Sequence, residues 1–118
     1  MGKIYILNEN GDVSFFKTLQ GATSFVEPID VKNSEYELFD SDGVLIKLKS
    51  VKYNNKEEVV AISTDIKDEE SLYMILLNLC EYLKKHKNFS NKMSHIDCEY
   101  KSLKQMIDIL TKLVGFED

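Results

Sequence analysis

The hydrophobic pattern of this chain changes period once, near residue 65, and that change restricts the fold more than any other feature. Before Asp65, apolar residues alternate with polar ones; after it they recur at the helical spacing of about 3.6 residues. Strands followed by long helices indicate an α+β fold. The clearest alternation is Glu35-Tyr-Glu-Leu-Phe39, which Asp40-Ser-Asp-Gly43 turns and Val44–Val51 continues in the opposite direction. Gly43 supplies the positive φ that a short hairpin loop needs, and the aspartates can bond to the turn backbone. Asn54-Asn55-Lys56 is a second turn, followed by a third β run, Glu58–Thr64. Upstream, Lys3–Leu7 and Val13–Phe16 flank the turn signal Asn8-Glu9-Asn10-Gly11 and read as a hairpin. Connections this short cannot make parallel crossovers, so the expectation is an antiparallel meander of about five strands.

Thr18 is placed to cap a short helix carrying Leu19, Ala22 and Phe25, with Pro28 as its stop. Beyond the period change, a helix capped by Asp65 or Asp68 should run to about Lys87, with Leu72, Ile75, Leu76, Leu79 and Leu83 as its stripe. A polar connection, Asn88–Ser94, leads to a last helix from about Glu99 to Val114, which Gly115 ends. These two C-terminal helices are expected to cover one face of the sheet. At 118 residues the chain reads as one domain, residues 1–118, able to bury roughly 65–70% of its unfolded surface.

Charge is distributed unevenly. Residues 1–45 hold eight carboxylates and three lysines, a net of −5, whereas the remaining 73 residues are neutral. Six of those carboxylates, Glu27, Asp30, Glu35, Glu37, Asp40 and Asp42, fall within sixteen residues beside one lysine, Lys32. A localised acidic field on a structured segment attracts basic partners. If Tyr36 and Leu38 face the helices, Glu35, Glu37 and Phe39 point outward as a mixed acidic–aromatic patch. The expected partner surface is therefore Glu27, Asp30, Glu35, Glu37, Phe39, Asp40 and Asp42. The competing view, a merely solvated strand and turn, is weakened because ordinary surfaces intersperse both signs.

Chemistry finds little support. Asp40-x-Asp42-Gly43 starts like a calcium loop, but Val44 and Val51 stand where that loop needs ligands. Cys80, His86, His95 and Cys98 are the residue types of a zinc site; however, Cys80 and His86 diverge by about 240° around one helix. A cysteine–histidine nucleophile pair would lack a recognisable orienting residue. No phosphate loop, dinucleotide fingerprint, nucleophile elbow or zinc-protease motif occurs, so neither an enzyme nor a cofactor is expected. All fifteen basic residues are lysine, which argues against a nucleotide or phosphate enzyme, and the acidic balance argues against nucleic acid. No run of about 18 apolar residues exists to cross a membrane, and the N-terminal apolar stretch is too short for a signal peptide. The expectation is a cytoplasmic protein with Cys80 and Cys98 reduced, each a small hydrophobe.

The order helix, Glu27-Pro-Ile-Asp-Val31, Asn33-Ser-Glu-Tyr36, Phe39-Asp-Ser-Asp-Gly43 resembles small bacterial immunity proteins encoded beside polymorphic or contact-dependent growth-inhibition toxins. The resemblance covers about a quarter of the chain. It implies a cytosolic protein that binds one cognate toxin domain, often a nuclease, and blocks it. It assigns no contact residues. A non-enzymatic scaffold or regulatory module with another protein partner is the alternative.

Overall fold

The computed structural model describes residues 3–86, 88–93 and 95–118. The strands are β1 (Tyr5–Glu9), β2 (Asp12–Phe16), β3 (Tyr36–Asp40), β4 (Val44–Tyr53) and β5 (Lys56–Lys67); the helices are α1 (Leu19–Phe25), α2 (Pro28–Lys32), α3 (Glu69–Lys85), α4 (Ser90–Met93) and α5 (Leu103–Val114). The fold is α+β with one antiparallel five-stranded sheet.

The expected meander is corrected. The sheet order is β2-β1-β3-β4-β5, so β1 lies between β2 and β3. After the first hairpin, α1 and α2 carry the chain back to pair β3 with the other side of β1. The two C-terminal helices do cover one face, and the addition to that expectation is that α1 and α2 cover the other. Ile6, paired with both Phe15 and Phe39, belongs to one row of side chains, which meets Leu72, Leu76, Met106 and Leu110 of α3 and α5. The residues one step along each strand, Leu7, Phe16, Leu38 and Ile46, meet Ala22 and Val26 on the opposite face. Alternation thus serves two cores, and helices flank both faces.

Local signals explain most element ends. Thr18 Oγ1 accepts from Gly21 N at the start of α1, and Asp68 accepts from Ser71 N at the start of α3. Ser102 and Gln105 form a capping box at the start of α5. Pro28 does more than stop α1: it occupies the first turn of α2, where its missing N–H costs nothing. The stretch expected to be a plain polar connection contains α4, which buries Met93 completely. The last helix begins at Leu103, after a 3₁₀ turn over Cys98–Tyr100. The expected end of α3 near Lys87 lies outside the described residues.

Gly43 does have positive φ, +87°. Its Cβ position also lies 3.1 Å from the Glu69 backbone, so the β3–β4 turn can approach the start of α3 only without a side chain there. At the other side of the sheet residues 117 and 118 bond to the end of β2 and the start of α1. Glu117 N donates to Phe15 O, and the Asp118 side chain accepts from Lys17 N and from the backbone and hydroxyl of Thr18. Those donors hold the Asp118 carboxyl below its usual range.

A disulfide joins Cys80 of α3 to Cys98, with Cα atoms 6.3 Å apart, so the expectation of two free thiols is overturned. The approach follows from the return of the chain through α4, which lays the 3₁₀ turn on α3. Tyr73 fixes the same contact by donating its hydroxyl to the carbonyls of Cys98 and Glu99.

Candidate functional site: an acidic end of the sheet

The seven residues expected to meet a partner separate into three environments. Phe39 is not an outward anchor: it is fully buried in the core beneath α3 and α5. Asp40 is only 4% exposed and serves the turn. One of its carboxylate oxygens accepts from Asp42 N and Val44 N at 2.9 and 3.0 Å, and the other from Lys3 Nζ at 3.0 Å. That bond holds the Lys3 ammonium above its ordinary range. Both residues leave the partner surface for these reasons. Asp42 is exposed on the turn, 3.7 Å from the same ammonium.

At the opposite end of β3, roughly 13 Å away along the strand, Asp30 and Glu35 meet Glu9. A carboxylate oxygen from each of Glu9, Asp30 and Glu35 lies within 4.8 Å of the others. Three segments supply them. Pairing of β1 with β3 sets Glu9 opposite Tyr36. Asp30 lies in α2, whose end explains the position of Glu35. Ser34, at φ +56°, donates to Val31 O, and Glu35 N donates back to Asp30 O, the paired bonds of a Schellman stop. This turn brings the Glu35 side chain back against Asp30. A non-glycine residue held at positive φ stores strain, and here it lies directly beside the acidic trio.

Glu37 stands one step along, exposed, accepting from Asn8 Nδ2 at 3.1 Å. Asp12 is exposed on β2 opposite Glu9. Glu27 is exposed at the N-cap of α2 and makes no side-chain capping bond. Glu9 and Asp12 were missed by counting charge along the chain, because the sheet, not the sequence interval, brings them to this end. The signal was available in the β1 pattern, which puts Glu9 on the face of Leu7.

The electrostatics follow from the crowding. A hydrogen bond that the protonated Glu35 carboxyl donates to Asp30 raises the Glu35 pKa, assisted by desolvation and by the charges of Asp30 and Glu9. Tyr36 donates its hydroxyl to Asp30 Oδ2 at 3.3 Å. Burial, with Glu9 and Asp30 alongside, pushes that phenol up to about 12. The site therefore holds more negative charge than it stabilises by itself, a condition that a positive group would relieve.

This excess can be measured without any partner. A carboxyl whose folded pKa is raised favours folding below its unfolded pKa and loses that contribution as pH rises through the folded value. Glu35→Gln should therefore raise the melting temperature at pH 7 relative to wild type, with the difference vanishing at about pH 3–4, where the carboxyl is protonated in both states. A variant that melts lower at pH 7 would show that Glu35 is stabilised, not strained, by its neighbours.

The residues of the other sequence readings do not converge on chemistry. Cys80 and Cys98 are bonded to each other. His86 packs between the rings of Tyr82 and Phe89, its Nδ1 accepting from Asn88 N, and His95 is exposed. No helix among the described residues is long and apolar enough to cross a membrane. Comparison with protein families, with curated proteins and with solved structures returned no match.

Proposed function

We propose that this protein is an immunity-type inhibitor, which binds a cognate bacterial toxin domain of basic surface, a nuclease by the resemblance, and neutralises it by contact alone. The observation that carries this reading is the convergence of Glu9, Asp30 and Glu35 from three segments at one end of the sheet, with Asp12 opposite Glu9 and Glu37 on the other face of β3. Carboxylates so placed can take the positions a phosphate backbone would occupy on the partner, and long-range attraction speeds encounter. The reading includes no catalysis, no cofactor, no nucleic acid and no membrane. It also includes a cytoplasmic location, where reductants keep thiols open. The Cys80–Cys98 bond speaks for an oxidising compartment instead, so a count of free thiols on protein from native cells decides that part.

Affinity capture from the native host should retrieve one basic protein whose toxic activity disappears on stoichiometric addition of this chain. Glu9→Lys/Glu35→Lys should slow association with that protein by at least about tenfold at low salt, and wild-type association should slow as salt screens beyond about 8–10 Å. Retrieval of several unrelated proteins would favour the scaffold reading. Unchanged association of the double variant would move the interface away from the acidic end.

A further inference from the structure

The sheet is uneven at the acidic end. Pairing of β3 with β4 covers only Leu38↔Ile46 and Phe39↔Leu45, whereas β4 pairs with β5 as far as Tyr53↔Lys56. The β4–β5 hairpin therefore overhangs β3 in the direction of Tyr36, past the acidic trio, as an arm, in a molecule 52 Å long and 30 by 26 Å across. Between arm and sheet, the strands part around a cleft of about 360 Å³ with Glu37 and Lys47 on its two walls.

One face of the arm is occupied: Leu48, Val59 and Ala61 pack into the α1–α2 core. The opposite face carries Lys47 across from Ile62 and Lys49 across from Val60. Both lysines are exposed and make no ion pair among the described residues. Ile62 is 44% exposed, and Tyr53, at the tip, 67%. The β2 edge receives a backbone bond from Glu117 to Phe15, but no element pairs with the outer edge of β5 among the described residues. This face of the arm carries Lys47, Lys49 and Lys56 against Glu58, so it is basic on balance and partly apolar, and it projects beside an acidic notch of opposite sign.

We propose that a second copy of this chain occupies this notch: two molecules exchange arms about a two-fold axis, each setting Lys47 and Lys49 against Glu35 and Glu37 of the other. A two-fold contact is self-complementary, and a molecule with opposite charges side by side at one end meets that condition by rotation alone. The contact covers Ile62 and Tyr53 and gives both lysines carboxylate neighbours. Because it uses the acidic end on which the proposed function rests, self-association and toxin binding exclude one another.

The test uses the isolated protein with no partner present, so its outcome is independent of the inhibitor reading. Light scattering on a sizing column at low salt and high concentration should give twice 13.6 kDa for wild type, falling towards the monomer as salt rises. Lys47→Glu/Lys49→Glu and Glu35→Lys/Glu37→Lys should each be folded by circular dichroism and associate with themselves roughly a hundredfold more weakly, because like charges meet at both contacts. Mixing the two variants should restore the dimer, since acidic arms then meet basic notches and basic arms meet acidic ones. A monomeric wild type, variants that still dimerise alone, or a mixture that stays monomeric each overturns the arm exchange.

Discussion

Phe39→Ala is expected to cost about 4 kcal/mol of stability, the largest single-residue effect at any position on the acidic stretch. The ring is fully buried, paired with Ile6 on one side and Leu45 on the other, and roofed by the α3–α5 core. Truncation leaves a cavity in the middle of a sheet row, where backbone hydrogen bonds on both sides prevent collapse. Since domains of this size have only about 5–15 kcal/mol in total, the variant should lose a large part of its stability. Chemical denaturation should show a lower midpoint with an unchanged slope. Glu37→Ala, two residues before it, exposed and held by one bond to Asn8, should stay within about 0.5 kcal/mol of wild type. Equal effects for the two would mean that Phe39 faces solvent after all.

The misplacement of Phe39 shows which part of the fold local pattern can express. Alternation correctly separates Tyr36 and Leu38 from Phe39, because side-chain direction in a strand is a local property. Which side meets solvent is not local. Leu38 and Phe39 are adjacent and both buried, the pattern of a strand covered on two faces, and the burial of Phe39 depends on helices that begin thirty residues later. Turns and caps were legible for the same reason that faces were not. Gly43, Thr18 and Asp68 act within four residues of themselves, and each does what its chemistry suggests.

Strand order and the acidic trio depend on closure over longer distances. Glu9 and Glu35 are separated by 26 positions, and only the return of β3 to the free side of β1 brings them together. Charge counting along the chain therefore found the acidic region, included Asp40, which is buried and spent on a turn, and left out Glu9 and Asp12. The division has a physical reason. Asp40 precedes a glycine turn whose free N–H groups need an acceptor, whereas Asp30 and Glu35 flank a helix stop whose backbone groups bond to each other. The first carboxylate is used by its own backbone. The others remain available.

Loss of the Cys80–Cys98 bond is expected to cost about 3 kcal/mol, the entropy returned to an unfolded chain when a loop of this length opens. The two cysteines are 18 positions apart, and the loop between them contains the end of α3, α4 and the buried Met93. The bond thus ties the segment that leads into α5 to the core helix α3. Free thiols packed as small hydrophobes would instead lose on the order of 1 kcal/mol each on truncation to alanine, with the two losses adding. Additivity therefore separates the two descriptions. Cys80→Ala and Cys98→Ala should each lower the denaturation midpoint almost as far as the double variant, since either one opens the loop completely. Wild type treated with a reductant under mildly denaturing conditions should approach the same midpoint. Single variants that cost little and sum to the double would show that the sulfurs only pack, and the stability of the protein would then be the same in a reducing as in an oxidising compartment.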